Sequence, residues 1–432
     1  MRRRRSRQGR PRPPRRRSAG AARLSRRLRP RLAVLHYTAA PVPGGVELAM
    51  AAQAVQLRQA GHDVRVLAGR GDADFLVPEL DSRHPDVEQV TRALAAGDSA
   101  GVASTFEGLR CRLRDRLGSA LADRELLIVH NVLTMPFNLP LVAALLDLGR
   151  PLLAWTHDVA WTNDQYAAYR RESWPYELLG HPQGQVSYVT ISRLRQHELA
   201  TLFDLPLAKV QVIPNAVDAM AFAGVGPQAR RLLEGAGALE ADPLLLVPVR
   251  VTPRKRLELA LQAAAELWPR KPALRVIVTG PLGPHNRDNR RYADELLEQR
   301  SRLGLEQVVR FLFEQAGPDG RHPVAAEDVA QLYRVSDAVL LPSDAEGFGL
   351  PLVEAALARV PVVCADIHIF REVGGGGLYT FPVAADATEV AAQVERALGQ
   401  RASRQRRRAI RRYSWPSVIE QTEVVIGGAL GR

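Results

Sequence analysis

The chain has 432 residues, of which 46% are hydrophobic, and this length is enough for two or three domains that each bury a core. No run of about eighteen apolar residues occurs in the sequence, so no transmembrane helix is predicted. The two cysteines, Cys111 and Cys364, lie far apart and predict neither a disulfide framework nor a metal cluster, as in proteins of the reducing cytosol.

The net charge of +13 is concentrated at the amino terminus. Residues 1–30 hold fourteen arginines and no acidic residue, whereas the remainder has 45 basic and 46 acidic residues. Because this Arg/Pro-rich tail lacks a hydrophobic period, we expect it to be disordered. A solvated extension, or even a misassigned start, is the preferred interpretation, and contact with anionic membrane stays open. We expect a cytoplasmic protein, peripheral at most to the inner face of the membrane, and predict no specific nucleic acid partner.

Strand and helix patterns alternate over residues 31–215, which is typical of a doubly wound parallel sheet in an α/β protein. The first strand, residues 32–37, leads into a loop in which Gly44 and Gly45 can bring backbone N–H groups close to a phosphate. A helix over residues 46–60 follows. Further strands are predicted at residues 64–68, 126–131, 151–155 and 186–191.

Polar residues follow two of these strands. His130 and Asn131 end the strand at residues 126–131, and His157 and Asp158 follow the next predicted strand. In an open parallel sheet, ligands bind at the carboxyl ends of the strands. The four residues are therefore candidate substrate contacts.

A second series of strands and helices spans residues 243–412, after a predicted linker over residues 216–242 and before a last helix within residues 413–432. Arg250 and Lys255 lie where its first strand ends. Two such cations can bracket a diphosphate, Arg through its planar fork and Lys as a point charge. Only three of the 59 basic residues are lysines. Because the chain uses arginine at almost every other basic position, a lysine at position 255 is a weak indication that this side chain is needed there.

A glycine-punctuated loop over residues 343–354 joins a predicted strand to a helix. Pro351 suits the first turn of that helix, whose free N–H groups form an anion site. Glu346 and Glu354 bracket the loop, and the carboxylate of Glu354 can accept two hydrogen bonds from the vicinal diol of a ribose. The purely structural alternative is that the negative charge of Glu354 only stabilises the helix by interacting with its dipole. The candidate ligand contacts between the glutamates are Gly347, Phe348, Gly349 and Leu350.

The segment from Glu346 to Glu354, with Gly-Phe-Gly-Leu-Pro inside it, resembles the signature of the retaining glycosyltransferases of family 4. Arg250 and Lys255 match the Gly-Arg-(x)4-Lys-Gly pattern of that family. The resemblance covers residues 31–425.

Other positions match or depart from the family pattern. Gly44 to Glu47 match its Gly-Gly-x-Glu loop. Val249 and Arg256 stand where the cation motif has glycines, and Ala216 replaces the glycine of a Pro-Asn-Gly motif. Such replacements matter where the backbone needs a positive φ.

The resemblance implies the GT-B fold, in which two Rossmann-like domains face a cleft. Residues 31–215 would hold the acceptor, residues 243–412 would hold the nucleotide sugar, and the helix within residues 413–432 would cross back to the N-terminal domain. It also implies transfer with retention of the anomeric configuration, without a metal. No cofactor is expected beyond the donor substrate, a UDP-sugar or GDP-sugar.

The predicted site residues fall into three groups. The catalytic and donor-binding residues are carried over from the resemblance, whereas the acceptor contacts are predicted only from their position at strand ends. The predicted catalytic residues are His157, Glu346, Arg250 and Lys255. The predicted donor-binding residues are Gly44, Gly45, Arg250, Lys255, Glu346, Gly347, Phe348, Gly349, Leu350 and Glu354. The predicted acceptor contacts are His130, Asn131 and Asp158.

The resemblance thus implies transfer of a hexose, with glucose or mannose expected first, from a nucleotide-diphosphate sugar to a hydroxyl acceptor. Three alternatives stay open: a sugar-nucleotide epimerase of the same fold, a non-catalytic nucleotide-sugar sensor, and an adaptor that uses its Arg-rich tail to bind RNA or membrane. Turnover of the donor separates an enzyme from a sensor. Neither the sugar, the base nor the acceptor follows from the sequence.

Overall fold

The computed structural model describes residues 29–281, 287–315 and 324–432. The chain divides into two compact units: unit 1 comprises Met1–Pro214 and Ile419–Arg432, and unit 2 comprises Asn215–Val418. Nearly all of the predicted disordered tail, residues 1–28, lies outside the described residues.

The described part of unit 1 forms a seven-stranded sheet in which every neighbouring pair of strands is parallel. Its strands are β1 (Leu32–Leu35), β2 (Val64–Ala68), β3 (Phe75–Leu76), β4 (Leu126–His130), β5 (Leu152–Thr156), β6 (Val186–Thr190) and β7 (Val210–Val212). Their order is β3-β2-β1-β4-β5-β6-β7. The chain therefore winds outward from β1 and returns at β4, which makes β1 and β4 the switch point of this sheet.

Helices connect these strands and cover the sheet. They are α1 (Gly45–Gln59), α2 (Pro85–Ala95), α3 (Ser99–Ala120), α4 (Leu139–Leu146) and α5 (Arg193–Leu202). The strands β1, β4 and β5 are buried along their whole length, as expected for a parallel sheet covered on both faces. Caps define the helix starts: the Asp98 carboxylate accepts from the Gly101 N–H and the Asn138 amide from the Leu141 N–H.

The segment after β5, residues 160–179, is rich in aromatic residues and forms no α-helix. It contains three short 3-10 turns, Ala160–Thr162, Asp164–Tyr169 and Tyr176–Leu179. Its aromatic side chains pack inward, since the ring of Trp174 lies 4.7 Å from that of Phe106.

Unit 2 repeats the winding pattern in a six-stranded parallel sheet, counted over its described residues. Its strands are β8 (Leu244–Val247), β9 (Arg275–Val278), β10 (Val309–Phe311), β11 (Ala338–Leu341), β12 (Val362–Ala365) and β13 (Tyr379–Phe381). Their order is β10-β9-β8-β11-β12-β13, so the switch point lies between β8 and β11. The prediction of two Rossmann-like, doubly wound α/β domains is confirmed.

The helices of unit 2 follow its strands in alternation. They are α6 (Ala219–Phe222), α7 (Pro227–Gly235), α8 (Leu257–Leu267), α9 (Arg287–Arg302), α10 (Ala326–Val335), α11 (Leu350–Leu357), α12 (His368–Gly374), α13 (Ala387–Leu398) and α14 (Arg401–Tyr413). The predicted linker over residues 216–242 is part of this unit. Met220 on α6 joins its hydrophobic core, as do Leu232 and Leu233 on the apolar face of α7.

The last helix, α15 (Trp415–Ala429), begins in unit 2 and ends in unit 1. Its C-terminal part is held within unit 1 by ion pairs of Glu423 with Arg29 at 2.6 Å and of Arg432 with Glu125 at 2.6 Å. Across the described residues, no helix is both long enough and apolar enough to span a membrane.

Candidate functional site

The switch point of unit 2 brings together the two sequence motifs that carry most of the predicted site. Strands β8 and β11 are paired in parallel, with Leu246 opposite Val339. The loop after β8 contains the 3-10 turn Pro253–Lys255, and the loop after β11 leads into α11. The cations and the glutamates therefore leave neighbouring strand ends.

Lys255 and Glu346 form a buried ion pair at this point. The ammonium of Lys255 donates to Oε1 of Glu346, and both side chains are only 9% exposed. The hydroxyl of Ser343 donates to the same oxygen at 2.9 Å, and a guanidinium nitrogen of Arg254 lies 3.6 Å from Oε2. A buried charge is tolerated when it is paired and hydrogen-bonded, and Glu346 meets both conditions.

Arg256 follows directly and has a left-handed backbone, with φ 49° and ψ 46°. This is the position at which the family motif has glycine. The loop thus keeps the backbone shape that glycine favours although it carries an arginine, whose guanidinium donates to the carbonyl of Val383.

Gly349 precedes α11 and also has a left-handed backbone, with φ 88°. A Cβ at this position would lie 3.1 Å from both Leu352 and Phe370. Phe348 and Leu350 on either side are exposed, and Pro351 lies in the first turn of the helix. Glycine is therefore required by both the backbone and the space, which leaves the start of α11 open to a ligand.

A cavity of about 780 Å³ lies against this switch point. Arg250 and Glu354 line it from the two motifs, and Thr279 and Gly280 line it from the end of β9. A cavity of this volume suits a small-molecule ligand of nucleotide size. Arg250 and Lys255, the two predicted diphosphate contacts, lie in the same loop after β8. Arg250 is exposed to solvent, whereas Lys255 is buried.

Glu354 has a hydrogen-bond partner that was not predicted from the sequence. The hydroxyl of Tyr333, on α10, donates to Oε2 of Glu354 at 2.7 Å. Burial, and next the bond to this carboxylate, raise the pKa of Tyr333 above its ordinary value of 10.0. The only sequence signal was a tyrosine on an otherwise aliphatic helix face, which also occurs in many cores.

The switch point of unit 1 holds a chain of buried polar side chains. Nδ1 of His130, at the end of β4, lies 3.2 Å from Nε2 of His157 after β5. Nε2 of His130 lies 2.9 Å from Oε1 of Gln53 on α1. His36, after β1, donates from Nδ1 to the carbonyl of His130 at 2.7 Å. His130 and His157 were predicted from the sequence, whereas Gln53 and His36 were not.

Three histidines of this buried polar cluster, His36, His130 and His157, are held neutral. Burial lowers the pKa of His130 well below its ordinary value of 6.5, and the neighbouring His157 and His36 lower it further. Burial also lowers the pKa of His36. For His157, burial and then the proximity of His36 lower the pKa to about 4. The site therefore offers imidazole hydrogen bonds near neutral pH, with little positive charge.

The predicted acceptor contacts lie inside this framework. His130 is 1% exposed with both ring nitrogens engaged, which does not favour a direct substrate contact. The Asn131 amide oxygen accepts from the backbone N–H groups of His157, at 3.1 Å, and Asp158, at 2.8 Å. Asp158 also pairs with Arg195 at 2.6 Å. All three side chains brace the segment that carries His157.

Gly44 and Gly45 lie at the start of α1, close to the same switch point. A Cβ on Gly44 would lie 1.9 Å from Oε2 of Glu47, whereas the corresponding position on Gly45 is open space. Glu47 in turn accepts from the Thr38 hydroxyl at 2.7 Å. Gly44 thus makes room for Glu47, and Gly45 leaves the helix start accessible.

Over the residues that the structure describes, no three His, Cys, Asp or Glu side chains are grouped so as to hold a metal ion.

Comparison with known proteins gives several relatives. A D-inositol 3-phosphate glycosyltransferase of Frankia alni is 30% identical over 263 residues, which is 58% of this chain and 61% of the relative. One of Actinosynnema mirum is 37% identical over 177 residues, 39% of this chain and 38% of the relative. Mannosylglucosylglycerate synthase of Thermotoga maritima is 24% identical over 364 residues, 79% of this chain and 82% of the relative. The chain thus spans about two-fifths to three-fifths of the two D-inositol 3-phosphate glycosyltransferases.

Two family models match separate parts of the chain. The model described as Glycosyltransferase Family 4 matches residues 43–220, and the model described as Glycosyl transferases group 1 matches residues 231–414. The first match contains Gln53, His130 and His157, and the second contains both cations and both glutamates of unit 2. Together the two matches cover more than four-fifths of the sequence, and the chain belongs to glycosyltransferase family 4.

Proposed function

We propose that the protein is a retaining, metal-independent glycosyltransferase that moves a hexose from a UDP-sugar or GDP-sugar to a hydroxyl acceptor. The observation that carries the proposal is the switch point of unit 2. There the cations and glutamates of the family motif lie at adjacent strand ends, beside a cavity of about 780 Å³. Family membership and the names of the relatives point to the same reaction class.

The cations would bind the diphosphate of the donor. Arg250 is exposed at the cavity and, in the described part of the chain, forms no ion pair, so its guanidinium is available to a phosphate. Lys255 is paired with Glu346, so its charge is largely compensated and Arg250 would supply most of the positive charge. As the bond to the sugar breaks, negative charge grows on the leaving diphosphate, and these cations would stabilise it without a metal.

The two glutamates would hold the rest of the donor. Glu354 faces the cavity from the second turn of α11 and would accept hydrogen bonds from the ribose. Glu346 would accept from hydroxyls of the transferred sugar while Lys255 and Ser343 fix its carboxylate. The accessible start of α11, with Gly347 before it, would add backbone N–H groups to the phosphates.

His157 of unit 1 is proposed as a catalytic residue, as the family resemblance implies. With a pKa of about 4 its ring is neutral at physiological pH, so it would act through a hydrogen bond. The open position beside Gly45 leaves the α1 helix start free for an anionic group of either substrate.

The acceptor is proposed as a small polyol or its phosphate. The relatives' names, D-inositol 3-phosphate glycosyltransferase and mannosylglucosylglycerate synthase, support a first screen with inositol, inositol phosphates and glycerate glycosides.

Cytoplasmic location and contact of the basic segments with the inner face of the membrane belong to the proposal too. Sedimentation with anionic vesicles, with and without residues 1–28, tests the membrane contact.

The first experiment is a thermal-shift panel of UDP, GDP, ADP and their glucose and mannose conjugates, with EDTA present. A ligand at 100 times its dissociation constant adds roughly 2.7 kcal/mol of stability. We expect one base to raise the melting temperature selectively, and the matching sugar conjugate to be consumed when a polyol acceptor is supplied. Proton NMR of the product then gives the anomeric configuration. Absence of any nucleotide-dependent shift, or a product with inverted configuration, would overturn the corresponding part of the proposal.

A further inference from the structure

Tyr333 lies behind the exposed carboxylate of Glu354 and is itself only 2% exposed. Its hydroxyl lies 2.7 Å from Oε2 of Glu354 and 3.5 Å from the carbonyl oxygen of Pro351. The two residues come from different helices, Tyr333 from α10 and Glu354 from α11, and both line the cavity of unit 2. The hydroxyl is thus a fixed donor at the wall of the candidate nucleotide site.

This bond leaves the carboxylate half occupied. A carboxylate has two oxygens that can each accept hydrogen bonds, and Tyr333 engages only Oε2. Among the residues that the structure describes, Oε1 of Glu354 has no further partner, and the side chain is exposed. The free oxygen is therefore held in one orientation at the cavity by a group that is itself immobile.

We propose that Tyr333 is a positioning residue for nucleotide binding: it orients Glu354 so that Oε1 accepts a hydrogen bond from a ribose hydroxyl. The inference rests on the proposed function, because it needs a nucleotide in the cavity, and it adds a residue to which that function gave no role. An exposed glutamate loses rotamer freedom when it binds a ligand. The bond to Tyr333 removes much of that freedom before the ligand arrives.

A purely structural role for Tyr333 predicts a different result. Its ring belongs to the hydrophobic core of unit 2, and phenylalanine would fill the same space. If the ring alone matters, Tyr333→Phe leaves nucleotide recognition unchanged. If the hydroxyl positions Glu354, the same variant weakens recognition of the ribose hydroxyls and of no other part of the nucleotide.

The experiment measures the affinities of UDP, GDP and ADP and of their 2′-deoxy and 3′-deoxy forms by calorimetry, on the full chain. For the base that binds best, we expect the wild type to prefer the ribonucleotide over at least one deoxy form by roughly tenfold, as for a hydrogen bond to a charged group. In Tyr333→Phe this preference should fall to about threefold or less. Affinity for the deoxy form itself should barely change.

The matched control is Tyr292→Phe. Tyr292 also belongs to unit 2, and its hydroxyl donates to a glutamate, Glu258, but it does not line the cavity. This variant removes the same kind of bond and should keep the tenfold preference. Glu354→Gln is the positive control and should lose the preference as Tyr333→Phe does.

Each outcome decides between explanations. If the wild type binds no nucleotide, the proposed function fails. If it binds the ribonucleotide with the expected preference and Tyr333→Phe retains that preference, only the positioning role of Tyr333 is overturned. Should Tyr333→Phe be destabilised, its affinities are measured below its unfolding transition, and the same loss of preference is required there.

Discussion

The two switch points share one topology and differ in their electrostatics. In unit 1, between β1 and β4, burial keeps His36, His130 and His157 neutral. In unit 2, between β8 and β11, a lysine and a glutamate are buried as an ion pair beside a cavity. The same strand order can thus support either a neutral hydrogen-bonding site or a charged anion site. Which one arises depends on the residues at the strand ends, and the fold alone does not decide it.

Breaking the charged pair of unit 2 should have the largest effect. Lys255→Met or Glu346→Leu leaves the partner as an uncompensated buried charge, so each should reduce the free energy of unfolding by about 3 kcal/mol. Both should also abolish sugar transfer. Urea denaturation of each variant, with activity measured in parallel, checks this.

The double variant separates stability from function. With both charges removed, the loss of stability should be much smaller than the sum of the single losses, while transfer stays absent. Single variants that fold normally and retain full transfer activity would show that the site assignment in unit 2 is wrong.

The neutral site of unit 1 should make stability depend on pH. His157 has a folded pKa of about 4 and an unfolded pKa near 6.5, so the unfolded chain binds the proton first as the pH falls. Its contribution to stability is complete above pH 6.5 and decreases towards pH 4, by about 3 kcal/mol over that window. Unfolding measured from pH 7.5 to 4 tests the slope.

His157→Gln is the control for this prediction. Glutamine keeps a hydrogen-bonding side chain and removes the titration, so its pH slope over the same window should be shallower by up to one proton. Equal slopes for the variant and the wild type would mean that His157 is not held neutral by its surroundings.

A smaller effect is expected from backbone shape. Each switch point contains one non-glycine residue with a left-handed backbone, Asn131 with φ 49° in unit 1 and Arg256 with φ 49° in unit 2. Asparagine tolerates this conformation better than arginine does, and a β-branched residue tolerates it worst. Arg256→Gly should therefore be more stable than Arg256→Val by about 1–2 kcal/mol. Their urea midpoints give the difference, and equal midpoints would exclude strain at this position.

The strands and helices could be predicted from the sequence because each depends on the spacing of apolar residues within a short segment. The alternation of strands and helices indicated two doubly wound domains, since side-chain periodicity follows directly from backbone geometry. Residues 216–242 were predicted as a linker with a loosely packed helix; in the structure α6 and α7 pack against the core of unit 2, which stabilises helices that are too short to form alone.

The sequence by itself determined the family motifs, because the members of each motif are close in sequence: Arg250 and Lys255 share one loop, and only the rest of a loop and the first turn of α11 separate Glu346 from Glu354. Only the tertiary structure decided which side chains form hydrogen bonds with each other. Lys255 bonds to Glu346, Tyr333 to Glu354, and both Gln53 and His157 to His130. These partners lie between 21 and 91 positions apart. Burial determines such pairs, since a polar group removed from water must find a partner wherever packing places one.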